Sequence, residues 1–376
     1  METLIYLMWL HLKFKSVPLE SAKLLSYFHS AEAVYKAKRE DYESFGITNK
    51  FLLKELGDKS LAKVNQEFKL AKENNVTILG YGTDAYPSIL NEISDPPLIL
   101  YVKGDASVLH RRNIFCIVGT RKCTAYGMSA ALGISEQLAR CGMVILSGVA
   151  LGIDSGAHRG AVRAGGKTIG VMGCGLDVDY PAGNHDVKND IISHGALISE
   201  FPFGTQPLPG NFPLRNRILS AFSLGVAVME AGEKSGALIT ARYAAEQGRD
   251  VFALPGNISN PMSSGTNSLI RDGASLILSA DDILCEYILR YPEYFDLKTS
   301  DDEPEIQQIE TATETLKSPS VYGDEKLIYA HLKNEPIHIN ALCRESGLDI
   351  SKVQTLITML QIKGKIKEHP GNYYSL

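Results

Sequence analysis

From Ile114 onward, short runs that are predominantly apolar, without a polar-apolar alternation, are separated by helix-forming stretches. This succession limits the possible folds more than any other property of the chain. The runs are Ile114–Val118, Met143–Leu146, Thr168–Met172, Ala196–Ser199, Gly225–Met229 and Asp250–Leu254, with helical segments at Ser129–Cys141 and Gly156–Ala164. A strand without a polar face must be covered on both sides, as in parallel sheets. The pattern therefore predicts an α/β domain with a doubly wound, mostly parallel sheet, whose ligands bind beyond the carboxyl ends of the strands. Two further runs, Val76–Leu79 and Leu98–Val102, precede it and open the domain at residue 76.

The flanks differ in character. Residues 1–75 carry apolar positions at helical spacing, as in Ala22–Phe28 and Phe51–Leu56. Between them, Phe45-Gly-Ile47 fits either a helix-hairpin-helix or a plain interhelix turn. The first ten residues lack a basic start and a small-residue cleavage site, so they read as an amphipathic helix rather than a secretory signal. Residues 296–320 form an acidic linker. In residues 321–376, helices at Lys326–Leu332, Ala341–Ser346 and Ser351–Lys363 precede a hairpin around Pro370-Gly371, the order of a winged helix.

The formal net charge of −5 is concentrated in the linker, where seven carboxylates between Asp296 and Lys317 face only Lys298 and Lys317. The rest of the chain is close to neutral, so a nucleic-acid partner would have to bind a focused basic patch. The six cysteines show no CxxC pair and no metal-ligand spacing, and a reduced, cytoplasmic setting is expected. No apolar run reaches membrane-spanning length, and membrane insertion is not expected.

The chemistry-bearing segments sit at strand ends. Val118-Gly-Thr-Arg121 can cradle a phosphate on backbone N–H groups, with Arg121 adding a charged fork. No dinucleotide fingerprint is present: the required glycines fail both at Gly119 and at Gly173-Cys-Gly175. In Ser147–His158, Gly148 allows close approach of a ligand, and Asp154 can cap the helix carrying His158. That pair reads as structural, because no nucleophile elbow accompanies it. Asp177 and Asp179 read as turn-stabilising residues rather than metal ligands. Phe212, after the turn Pro209-Gly-Asn211, is expected to hold its ring outward for base stacking. Arg215 and Arg217 offer bidentate phosphate contacts around Asn216. On a helix they diverge by about 200°, so one of them is expected to face the ligand and the other to pair with Glu200 or Glu230. Lys234, Ser235 and Gly236, with Thr240 following, suit an anion at a helix N-terminus.

Taken in order, these segments and Gly248-Arg-Asp250 to Pro255-Gly256 resemble the DNA-processing protein A family (DprA, also called Smf) from about Tyr86 to Asp282. The resemblance implies an extended Rossmann-like core, a SAM-like helical domain before it and a winged helix after it. It implies a cytoplasmic, cofactor-free, dimeric protein that binds single-stranded DNA without sequence specificity, protects it and loads the RecA recombinase during natural transformation. Single-strand-binding protein is a further candidate partner. Arg121 inherits the family's basic DNA contact and Phe212 its stacking aromatic. Family members often carry a lysine near the Tyr-Pro turn. Here that neighbourhood is Ala182-Gly-Asn184-His185, so Asn184 and His185 join the expected site, with Lys188 or His185 standing in for the lysine.

Two other functions compete with this one. A nucleotide hydrolase of the phosphoribohydrolase type would share the core, but its catalytic glutamate has no counterpart in Lys234–Thr240. A regulator acting through the winged helix would meet duplex DNA with Lys352, Lys363, Lys365 and Lys367. The expectation for the chain is binding without catalysis.

Overall fold

The computed structural model describes residues 2–14, 18–294, 328–329, 331–332, 336–348, 350–362, 366–369 and 373–375. The acidic linker, Lys363, Lys365 and the Pro370-Gly371 hairpin tip lie outside the described residues, as does part of the first winged-helix helix. Backbone contacts divide the chain into two compact units, residues 1–300 and 301–376.

Six helices begin the first unit: α1 (Glu2–Lys13), α2 (Pro18–Phe28), α3 (Ala31–Lys36), α4 (Arg39–Phe45), α5 (Lys50–Gly57) and α6 (Ala62–Glu73). The opening apolar run forms α1, where Leu7, Met8, Trp9 and Leu10 are buried. These helices share one apolar cluster with Leu98, Ile99 and Tyr101 of the neighbouring sheet.

The sheet contains β1 (Thr77–Gly80), β2 (Ile99–Gly104), β3 (Ile114–Val118), β4 (Val144–Gly148), β5 (Thr168–Val171), β6 (Gly195–Ser199), β7 (Gly225–Val228), β8 (Asp250–Ala253) and β9 (Ser275–Leu276). Its spatial order is β1-β2-β6-β5-β4-β3-β7-β8-β9. β1–β2 and β2–β6 pair antiparallel, and every other pair is parallel. The chain moves outward from β3 in both directions, so β3 and β7 flank the topological switch point where α/β sheets hold ligands.

The period-two geometry of a strand explains why the apolar runs need two covers. Ile114, Cys116 and Val118 of β3 join one core with α10 (Asn211–Ala221) and α11 (Ala237–Glu246). Phe115 and Ile117 join the opposite core with α7 (Ala125–Arg140), α8 (Ile153–Arg163) and α13 (Ala280–Arg290). Each fully buried Ile, Val or Phe contributes about 1.5–3 kcal/mol, which favours a sandwiched sheet over one exposed on either face. Between these elements lie α9 (His185–His194), packed on β5 and β6, and α12 (Ser264–Arg271), packed on β8.

In the second unit, β10 (Ile337–His338), α14 (Ile339–Ser346), α15 (Ile350–Ile362), β11 (Lys367–His369) and β12 (Tyr373–Ser375) surround their own core of Leu342, Val353, Ile357 and Leu360. The strand order β10-β12-β11 and the two helices give the winged-helix arrangement. Among the described residues, no helix is long and apolar enough to cross a membrane.

Candidate nucleic-acid interface

β3 ends at Val118, and the chain leaves the sheet as Gly119-Thr-Arg-Lys122. Thr124 then caps α7, its hydroxyl accepting from the Gly127 N–H at 3.2 Å. The Thr124 N–H and hydroxyl themselves donate to Glu230 at 2.8 and 2.9 Å, tying this turn to the end of β7 across the switch point. Arg121 and Lys122 are left exposed on an anchored turn. Gly152, at φ +81°, passes against it. A Cβ there would lie 2.5 Å from the Thr120 carbonyl oxygen and 2.7 Å from that of Arg121.

Phe212 opens α10 beside this turn. The Arg121 guanidinium stands 5.0 Å from its ring centroid, and Tyr180 packs 5.6 Å away on another side. The ring is half-buried rather than held outward, because it also leans on Gly173. It forms one wall of two spaces. One is a recess of about 90 Å³ towards Leu151, Tyr180 and Pro181. The other is a groove of about 440 Å³ lined by Thr120, Lys122, Asn216, Ser235 and Met262. Cation–π pairing contributes about 0.5–1 kcal/mol at an exposed site, so the pair is weak enough for a base to displace.

The two arginines of Arg215-Asn-Arg217 part company. Arg215 lies in the groove floor. One guanidinium nitrogen donates to the Val171 carbonyl, and Nε donates to Asn216 Oδ1 at 3.2 Å. Across Gly148 stands the Asp154 carboxylate. A Cβ on Gly148 would come within 2.6 Å of Asp154 Oδ2 and 2.7 Å of Arg215 Nη2, so glycine is what lets the two groups close over the end of β4. Burial pushes the Asp154 carboxyl up to about 7, against the opposing pull of Arg215 and the Ala150 N–H. Arg217 does not reach the groove. Its side chain is fully buried, donating to both Glu200 oxygens at 3.0 and 2.7 Å and to Asp95 at 3.0 Å. Of the two ion-pair partners expected for the inward arginine, Glu200 is the one used.

Lys234 to Gly236 lead from β7 into α11 on the groove's far side. Asn216 Nδ2 donates to the Gly236 carbonyl at 3.2 Å, and Ser235 Oγ accepts from the Ala237 N–H at 3.3 Å. Thr240 is buried in the floor, while Lys234 is exposed over an adjoining hollow that shares Ser235. Ser235, Gly236, Thr240, Arg121, Phe212, Arg215 and Asn216 therefore surround one space at the carboxyl edge of β3 and β7, and Lys234 stands beside it.

The neighbourhood of Tyr180-Pro181 is arranged differently from the expectation. Asn184 is buried, and its amide donates to the Val149 and Ala150 carbonyls at 3.0 and 2.9 Å. It braces the loop after β4 from behind instead of facing a ligand. Lys188 is almost fully buried and ion-paired to Asp179, towards which the exposed His185 also turns at 3.8 Å. Neither basic group lines the groove. Asp177 accepts from the Gly204 N–H, confirming a turn role, and the described residues contain no cluster that could hold a metal ion. His158 contacts the Thr168 hydroxyl at 2.7 Å, and burial lowers its pKa to about 3. Thr168 gives its own proton to the Ile145 carbonyl, so Nδ1 of His158 is the donor and the ring is a neutral core group.

Sequence reasoning missed Asp154, Lys122 and Met262 as groove residues. Lys122 adjoins Arg121 and could have been included. Asp154 reads in the sequence as a helix cap, whereas Gly152 holds the cap position of α8 and Asp154, inside the first turn, accepts from the Ala150 N–H at 3.3 Å; Met262 lies in no motif.

The wider comparisons agree with the motif resemblance. A sequence profile for DNA recombination-mediator protein A matches residues 77–288, and one for the DprA winged helix domain matches residues 312–372. The chain is 42% identical over 223 residues to DNA processing protein DprA of Bacillus subtilis, covering 59% of this chain and 75% of that protein. It is 33% identical to Protein Smf of Synechocystis, covering 95% and 94%. The X-ray structure of DprA from Streptococcus pneumoniae superimposes with a TM-score of 0.67 at 34% identity, over 75% of this chain and 97% of that one. The DprA structure from Helicobacter pylori, described for its single-stranded DNA binding mode, superimposes with a TM-score of 0.53 at 33% identity, over 57% and 97%.

Proposed function

The chain belongs to the DNA recombination-mediator protein A family, and on that premise we propose that its switch-point groove binds single-stranded DNA without sequence specificity. The observation that carries this reading is the exposed Arg121 guanidinium 5.0 Å from the half-buried Phe212 ring, at the mouth of a groove floored by Arg215. An unpaired base can slide between cation and ring, because every base offers a π-face. Arg121 and Lys122 meet the adjacent phosphates, and the Ser235 hydroxyl and the Gly236 amide take another. Duplex DNA keeps its bases stacked and cannot use the ring.

Catalysis has little support among these groups. His158 is neutral and turned to Thr168, Arg217 is consumed by carboxylates, and Lys234–Thr240 holds no acid. The protein acts as a dimer, protects the incoming strand and helps load RecA onto it during natural transformation and recombination, with single-strand-binding protein as a further partner.

The test is a fluorescence-anisotropy titration of labelled poly-dT and of its duplex, at two salt concentrations, with wild type and Arg121→Ala. Salt-sensitive preference for the single strand, weakened about tenfold or more in the variant, is expected. Equal duplex binding unaffected by the substitution would move the function to the winged helix, and no binding to either would overturn the reading.

A further inference from the structure

α6 buries Val64, Glu67 and Ala71, which share one face of the helix. Val64 and Ala71 join the apolar cluster of the six N-terminal helices, so a carboxylate occupies a position in the core-facing stripe. Burying a charge is costly unless hydrogen bonds meet it. Here Glu67 Oε2 accepts from the Tyr101 hydroxyl of β2 at 2.8 Å and from the Phe203 N–H at 3.3 Å. Phe203 belongs neither to these helices nor to a strand. It lies on the segment that runs from β6 to Phe212.

That segment is held at successive points. The Phe203 ring meets Tyr101 edge-on, with centroids 5.3 Å apart. The Gly204 N–H donates to both Asp177 oxygens at 2.9 Å, and the Thr205 carbonyl accepts from the Gly175 N–H at 3.0 Å. The Gln206 carbonyl accepts from the Asn211 amide group at 3.1 Å, and Phe212 follows directly. Gly175 and Asp177 lie in the loop after β5, which carries Tyr180 to within 5.6 Å of the Phe212 ring. Leu176 of that loop and Phe203 both pack on the cluster of the N-terminal helices. The segments bearing Phe212 and Tyr180 are thus laced together and rest on α1–α6.

We propose that Glu67 is a positioning residue for the strand site: through the Phe203 amide, the N-terminal helices set where the Phe212 ring stands and how well a base stacks on it. This role rests on the single-strand reading of the groove and extends it to helices that line neither space beside Phe212. Apolar packing alone is non-directional, whereas a carboxylate bound to one backbone amide selects one placement of the segment. The ring has little room for another, since it leans on Gly173, where a Cβ would lie 2.8 Å from it.

A double-mutant cycle separates positioning from plain stability. Anisotropy would be measured with labelled poly-dT on the full chain as wild type, Glu67→Ala, Phe212→Ala and the double variant. Phe212→Ala alone should weaken binding about fivefold or more. Glu67→Ala alone should weaken it about 3- to 10-fold with an unchanged slope of log affinity on log salt, because no phosphate contact is removed. With Glu67 already replaced, the Phe212→Ala step should shrink to about twofold or less, as expected for coupled residues. Glu67→Gln keeps an acceptor for the amide and should recover most of the affinity. Unfolding curves check that each variant is intact. Should Glu67→Ala be unfolded, Phe203→Ala, which removes only the ring packed on Tyr101, enters the same cycle with the same expectation. Unchanged affinity in Glu67→Ala overturns the proposal, as does a Phe212→Ala step of equal size in both backgrounds, or a glutamine variant as weak as the alanine one. If wild type does not bind, or Phe212→Ala has no effect in the otherwise wild-type chain, the switch-point reading itself fails.

Discussion

Replacing Arg217 by alanine tests most directly how the structure divides the Arg215-Asn-Arg217 motif. The guanidinium is wholly buried and holds both oxygens of Glu200, itself only 5% exposed, together with Asp95. Burial pushes the Glu200 carboxyl up, and Arg217 is the group that opposes it. Without Arg217 a buried carboxylate has no partner, a change that typically costs about 3–5 kcal/mol. For a unit of this size, that corresponds to a fall in Tm of roughly 6–15 °C. The deficit should also depend on pH. In the variant the folded pKa of Glu200 lies above its unfolded value. The neutral form is therefore tolerated at low pH, and stability is lost as pH rises through the folded pKa. The gap between wild type and variant should then be smaller at pH 5 than at pH 8. The assay is thermal and urea unfolding followed by circular dichroism at both pH values, with Glu200→Gln added as a second substitution. Removing the orphaned charge should recover part of the loss. Strand affinity measured well below the Tm should remain within about threefold of wild type, because Arg217 does not line the groove. A variant with wild-type stability that has lost strand binding would refute this division of roles.

Two further predictions concern the groove. Asp154, with its pKa raised to about 7, faces Arg215 from α10, Arg121 from the turn after β3, Cys116 of β3 and Ser147 of β4. A bound phosphate favours its protonated form, so strand affinity should fall as pH rises from about 6 to 8, and Asp154→Asn should flatten that profile; a dependence retained in the variant would exclude Asp154 as its source. The same raised pKa stabilises the fold below the unfolded carboxyl range and is lost as pH rises through about 7. Phe212→Ala should cost about 1–3 kcal/mol of strand affinity with little change in its salt slope, as read by anisotropy across a salt series, whereas Arg121→Ala should lower both.

Much of this protein can be read along the chain, because the signals involved are local. The apolar runs have no polar face, and that alone demands a sheet covered on both sides. The position of Val118-Gly-Thr-Arg121 after the first parallel strand, and of Lys234–Gly236 after β7, places both at the edge where such sheets bind ligands. Phe212 beside Arg-Asn-Arg marks the same edge. What the chain alone leaves undecided is direction. Helical phase separates Arg215 from Arg217 by about 200°, but which one turns towards the groove depends on how α10 rolls on the sheet. That roll is fixed by Ile218, Leu219 and Phe222 packing into the core with β3 and β7, and the β3 residues lie about a hundred positions away in the chain. Asn184 and Lys188 show the same limit, since a polar side chain in a turn serves equally well as a brace, an ion-pair partner or a ligand contact until its neighbours are placed.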